Sequence, residues 1–149
     1  MQAVNPTKTG TAIRILLGLL FLSTGVMKFA VPDLRAAFSG QLIAAGIPLH
    51  SLNMWVVPAE EIGLGVLLML GFLPRLAGLY AIALMAVATY VHLAVNDPAL
   101  FPLQPEEPII PAIVIILSIS LLWIKSGSWS FDLSRKPVYG KQPAGNNVI

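Results

Sequence analysis

Four apolar runs punctuate this chain, at residues 12–30, 54–73, 76–95 and 109–124. Each is close to the roughly 20 residues that a helix needs to cross a hydrocarbon core of about 30 Å. Few folds tolerate that pattern. Backbone in lipid must satisfy its own polar groups, so spans are helices or closed barrels. Runs this long and continuous read as helices. The expected fold is all-α: an integral membrane four-helix bundle.

Composition agrees. Of 149 residues, 56% are hydrophobic and only 11% charged, against roughly 25% charged in a soluble domain. The net charge of +2 is small. Its basic residues flank the apolar runs rather than forming a patch, so no nucleic-acid partner is implied; the lipid bilayer is. There are no cysteines, which excludes disulfides, thiol relays and thiolate metal sites within the chain. The first run lacks a small-residue cleavage site and reads as a retained span.

Three segments follow: a polar N-terminal piece (1–11), a transmembrane domain (12–124) and a polar tail (125–149). Residues 31–53 form a connection in which Leu34, Phe38 and Leu42 recur on one helical face. A short interfacial helix is expected there, lying on the membrane and stopped at Gly46-Ile47-Pro48. Trp55 and Trp123 suit headgroup-level anchors. Pro58 is expected in the first turn of the second span, where its missing N–H is harmless. Gly71, Pro74 and Arg75 make a tight turn, so the second and third spans form an antiparallel hairpin. Lys8, Arg14, Arg75, Lys125, Arg135, Lys136 and Lys141 fall on one side of such a bundle, Lys28 and Arg35 on the other. By the positive-inside rule both termini are cytoplasmic, and the setting is a bacterial cytoplasmic membrane.

The second span carries adjacent carboxylates, Glu60 and Glu61. A charge at the bilayer centre costs at least ~2.5–3.5 kcal/mol, so such groups face a bundle interior and find partners. Depth is counted from the basic residue at the cytoplasmic end of each helix, at ~1.5 Å per residue. Lys28 and Glu61 then both lie ~21 Å out, His92 ~25 Å and Glu107 ~27 Å. The facing is compatible. Arg14, Gly18, Phe21, Gly25 and Lys28 share one stripe, as do Glu61, Gly65, Leu68, Phe72 and Arg75, and Gly78, Ile82, Met85, Thr89 and His92. An ion pair of Lys28 and Glu61 with His92 nearby is expected, with Glu60 turned about 100° away from Glu61. Its rival reading is a structural pair that fixes helix register, with His92 a surface polar residue. Glu106 and Glu107 are expected in solvent. Gly18, Gly25, Gly65 and Gly71 are expected to serve helix packing. His50 carries no signal. No phosphate loop, zinc pattern or nucleophile elbow is present. With both histidines on one side, bis-His haem ligation has no basis, whereas His/Met ligation stays open.

RILLGLLFLSTGVMKF in the first span, the GIP of the connection and EIGLGVLLMLGFLPRLAGLYAIALMA across the next two resemble the DoxX family of small bacterial and archaeal membrane proteins. The likeness extends over residues 12–124, and Arg14, Gly18, Gly25, Lys28, Glu61, Gly65, Gly71 and Arg75 fit its pattern. The acidic loop and tail do not. The resemblance implies a four-helix membrane protein associated with redox enzymes: some relatives are subunits of thiosulfate:quinone oxidoreductase, others join oxidative-stress complexes. Relatives that pass electrons through cysteines are no model here.

Three readings follow. The first is a non-catalytic membrane subunit or accessory protein of a redox complex, partnered by other membrane or redox proteins. Its cluster of Lys28, Glu61 and His92 would hold a quinone, the one cofactor suggested, and Lys28 would act as counter-ion to Glu61. The second is a small transporter or lipid-binding protein with the Lys–Glu pair as a protonation switch. The third is a structural anchor or assembly subunit. No metal site and no catalytic residue are expected.

Overall fold

The structure is a computed structural model and describes residues 8–103, 105 and 107–123. All regular elements among them are helical: α1 (Lys8–Ala30), α2 (Pro32–Ala44), α3 (His50–Leu70), α4 (Pro74–Ala94), a 3-10 turn (Pro98–Leu100) and α5 (Ile109–Trp123). Helices α1, α3 and α4 are long and apolar enough to cross a membrane. Over its 15 described residues α5 is apolar but spans only about 22 Å, less than a bilayer core. The polar tail lies outside the described residues.

Several boundaries differ from the sequence reading. The 1–11 segment was expected to be a separate polar piece, but α1 already begins at Lys8. Helix α3 starts at His50, not Met54, so Pro58 sits inside the helix and not in its first turn. Proline there removes one hydrogen bond of the ladder. The local pattern hid this, because the mostly polar residues 50–53 look like a loop when read alone. Helix α2 is ended by Gly46, not by Pro48. Gly46 adopts φ +65°, its N–H bonds the Ile43 carbonyl, and the Ile47 N–H reaches back to Leu42. These paired bonds close a helix by a left-handed residue.

Two antiparallel pairs form the body. Helix α1 lies along α3, with Gly18 beside Gly65 and Met69 and Gly25 beside Pro58 and Ile62. The backbones nearly touch: a Cβ on Gly65 would lie 2.6 Å from the Leu22 nitrogen and 2.7 Å from the Gly18 carbonyl oxygen. Only glycine permits that approach, and small residues at such crossings are how membrane helices gain packing without a hydrophobic drive. Helix α4 pairs with α5 through Gly78 and Ser118. The pairs join at one apolar cluster containing Leu17, Phe21, Leu64, Leu68, Ala81 and Val114. Gly71 has another role. At φ +67° it caps α3 and starts the turn into α4, with Leu73 also left-handed at φ 45°.

The outward surface is strongly apolar. Leu16, Leu70, Leu76, Leu93 and Ile116 are each at least 60% exposed. An apolar surface this extensive belongs against lipid. Arg14, on the seam stripe with Gly18, Phe21 and Gly25, is buried with them at 2% exposure.

Candidate functional site

Helix α2 packs onto the body of the protein. Its i, i+4 pair Phe38 and Leu42 is buried against Met54 of α3, and the helix packs across one end of α1, α3 and α4. The Gln41 side-chain amide donates to the Leu100 carbonyl, the Tyr90 hydroxyl donates to Ala45, and Ser39 bonds His50 at 2.9 Å. His50, silent in the sequence, thereby ties α2 to the start of α3. Beneath this cover is a cavity of about 620 Å³.

All four sequence-selected groups line it: Lys28, Glu61, His92 and, at its border, Glu60. Lys28 comes from the last turn of α1 and Glu61 from the middle of α3. The antiparallel crossing at Gly25 and Pro58 sets them side by side. Lys28 Nζ donates to Glu61 Oε1 at 2.6 Å. The ammonium also stands 4.7 Å from the centre of the Phe38 ring, where the ring face attracts a cation. The Lys28 side chain keeps 21% exposure and that of Glu61 only 5%. Pairing of this kind is what makes a carboxylate tolerable in an apolar interior.

His92, in the last turn of α4, is buried rather than at the surface. Its Nδ1 lies 3.0 Å from the Ala88 carbonyl oxygen, and its ring sits 4.2 Å from that of Phe101. Among the described residues, Glu61 Oε2 and His92 Nε2 are buried atoms without a hydrogen-bond partner. No bond joins His92 to the Lys28–Glu61 pair, so the three share a cavity without forming one hydrogen-bonded cluster.

Glu60 is half-buried and turned aside. It borders the cavity and also a groove of about 430 Å³ along α3 and α4, which it shares with Tyr80. Glu107 is exposed and lines neither; Glu106 lies outside the described residues. Among the described residues, no three histidine or acidic side chains converge on a metal position.

Phe38, Phe101 and Met85 also line the cavity, and the sequence did not single them out as site residues. The amphipathic spacing of Phe38 was visible, but its destination was not. Phe101 follows the 3-10 turn at Pro98–Leu100, in a proline-rich loop where no periodicity marks it.

The family model for DoxX matches residues 10–94, more than half of the chain. The chain belongs to the DoxX family. The match takes in α1 to α4, and with them Lys28, Glu61 and His92. It ends before the 3-10 turn and α5, so it is shorter than the 12–124 read from the sequence. Comparison with curated proteins and with solved structures finds no match. As a DoxX protein with three helices of spanning length, this is a membrane protein.

Proposed function

We propose that this DoxX-family protein is a membrane subunit or accessory protein of a quinone-linked redox complex in the bacterial cytoplasmic membrane. The observation that carries the reading is the 620 Å³ cavity with Lys28, Glu61 and His92 on a mostly aromatic and aliphatic wall. Organic ligands favour such concave, mostly apolar sites with a few converging polar groups. A quinone combines a flat polar head with an apolar tail. Its head would lie between the Phe38 and Phe101 rings, and its tail would leave toward lipid past Met27 and Leu103, which are exposed at the cavity wall.

In this reading α5 completes a four-helix bundle, aided by residues on either side of it. Both termini are cytoplasmic, and the cavity lies in the outer half of the membrane. The chain is non-catalytic by itself: it holds the ligand, and a partner redox protein exchanges electrons with it. Glu61 and His92 are the groups that take up protons as the ligand is oxidised, and Lys28 is the counter-ion of Glu61.

Purification from native membranes in mild detergent, with mass spectrometry of retained proteins and small molecules, tests the reading. A stoichiometric redox partner and a bound quinone-type molecule are expected, with its binding altered in Glu61→Gln and in His92→Ala. A protein that emerges alone with bulk lipid only would overturn it.

A further inference from the structure

The hydrogen-bond inventory of the cavity wall is lopsided. His92 Nδ1 faces the Ala88 carbonyl oxygen. A carbonyl has no hydrogen, so Nδ1 carries it, and in the neutral ring Nε2 is left as an acceptor. Glu61 Oε1 is occupied by Lys28, and a carboxylate oxygen such as Oε2 can only accept. These two acceptors are the fully buried side-chain atoms of the wall left without a partner among the described residues. Ser23 and Thr24, on the same wall, already donate their single hydroxyl hydrogens to the Leu20 and Phe21 carbonyls. What they still offer is lone pairs. The donors on the wall are Lys28, which already bonds Glu61 and stands against Phe38, and the amides of Gln41 and Asn53, each of which already donates to a backbone carbonyl, of Leu100 and Pro48 respectively.

From this inventory we infer that the cavity selects a ligand whose headgroup donates hydrogen bonds. If the site takes a quinone-type molecule, it therefore holds the reduced hydroquinone in preference to the oxidised quinone. The inference rests on the quinone reading above and refines it. A phenolic hydroxyl can donate to Glu61 Oε2 or His92 Nε2 while its oxygen accepts from Lys28. A quinone carbonyl can only accept, so it answers Lys28 and leaves both buried acceptors unmet. An unmet buried polar group is costly, which is why sites built to bond a hydroxyl reject the analogue that lacks it. In a membrane pool holding both redox forms, such a site would collect the one that carries electrons and protons.

The experiment measures binding of a short-tailed ubiquinol, the matching ubiquinone and the dimethyl ether of that ubiquinol to the purified full-length protein in lipid nanodiscs. The ether keeps ring, tail and shape and removes both donors. The ubiquinol is expected to bind at least about tenfold tighter than either of the others, the effect of one charge-assisted hydrogen bond. Glu61→Gln replaces an acceptor oxygen with a donor amide at constant shape. It is expected to cut the preference to about threefold or less and to strengthen ubiquinone binding. Equal or tighter binding of ubiquinone by the unsubstituted protein overturns the inference but leaves the quinone reading standing. Binding of none of the three overturns both. A preference for ubiquinol that persists unchanged in both Glu61→Gln and His92→Ala, with each variant folded, also overturns it, because the donors would then be read elsewhere.

Discussion

The α1–α3 crossing and the cavity above it are built from the same two helices, yet they obey opposite rules. At Gly18 and Gly65 the backbones touch, and the contact leaves no room for even a methyl group. Nearly three turns along α1 from Gly18 stands Lys28, about one turn along α3 from Gly65 stands Glu61, and the space opens to about 620 Å³. The tight end fixes the geometry. The open end uses it to hold two charges 2.6 Å apart with buried acceptors beside them. A loose pocket can keep an ion pair in register only because a rigid contact lies next to it.

Breaking the pair should have the largest effect. Lys28→Met leaves Glu61 buried without its counter-ion, and about 3–5 kcal/mol of stability should be lost, toward the lower end because Lys28 is partly exposed. Thermal unfolding in detergent measures it. The double variant Lys28→Met with Glu61→Leu should recover most of the loss, and a double no better than the single would mean that the charges do not depend on each other.

Tightening the close contact comes next. Gly65→Ala puts a methyl group against backbone atoms that cannot turn aside, and about 1–3 kcal/mol is expected. Thermal unfolding of this variant indistinguishable from that of the unsubstituted protein would show that the helices can separate freely, which contradicts a rigid crossing.

Smaller changes sharpen the contrast. Arg35 stands 4.5 Å over the Trp55 ring and 5.8 Å over Phe29. This stack sits at the partly exposed margin, so Arg35→Gln should cost about 0.5–1 kcal/mol; a loss as large as that of Lys28→Met would make the stack part of the core. Gly40→Ala should cost least, within about 0.5 kcal/mol. Its new Cβ would lie 2.5 Å from Leu100 Cδ2, as near as the clash at Gly65, but the neighbour is the tip of a flexible side chain that can rotate. If Gly40→Ala proved as damaging as Gly65→Ala, the cover over the cavity would be as rigid as the crossing.

How far the sequence could be read depends on which residues are asked about. Depth counting brings Lys28 and Glu61 to one level, because rise per residue is a property of any helix, and in the structure their charged atoms are in contact. Arg14 was legible too: the seam spacing puts it on one stripe with Gly18, Phe21 and Gly25, and the structure buries all four. Pro58 and His50 show the limit. A helix that begins with polar residues carries no periodic signal in its first turns, and its true start is set by what α2 packs against.

The number and position of the apolar helices, their antiparallel hairpin at Gly71 and the need of Glu61 for a partner are determined by the sequence alone. Each follows from local quantities: run length against bilayer thickness, a left-handed turn residue, the cost of a charge in lipid. Tertiary structure alone decided that α2 folds over the cavity, that Phe101 packs on His92, and that Glu60 borders a second groove as well as the cavity that Glu61 lines. Those outcomes depend on which helix faces meet. That is chosen by the fit of whole surfaces, glycine against backbone on one side and aromatic rings around a pocket on the other, and no single segment contains that information.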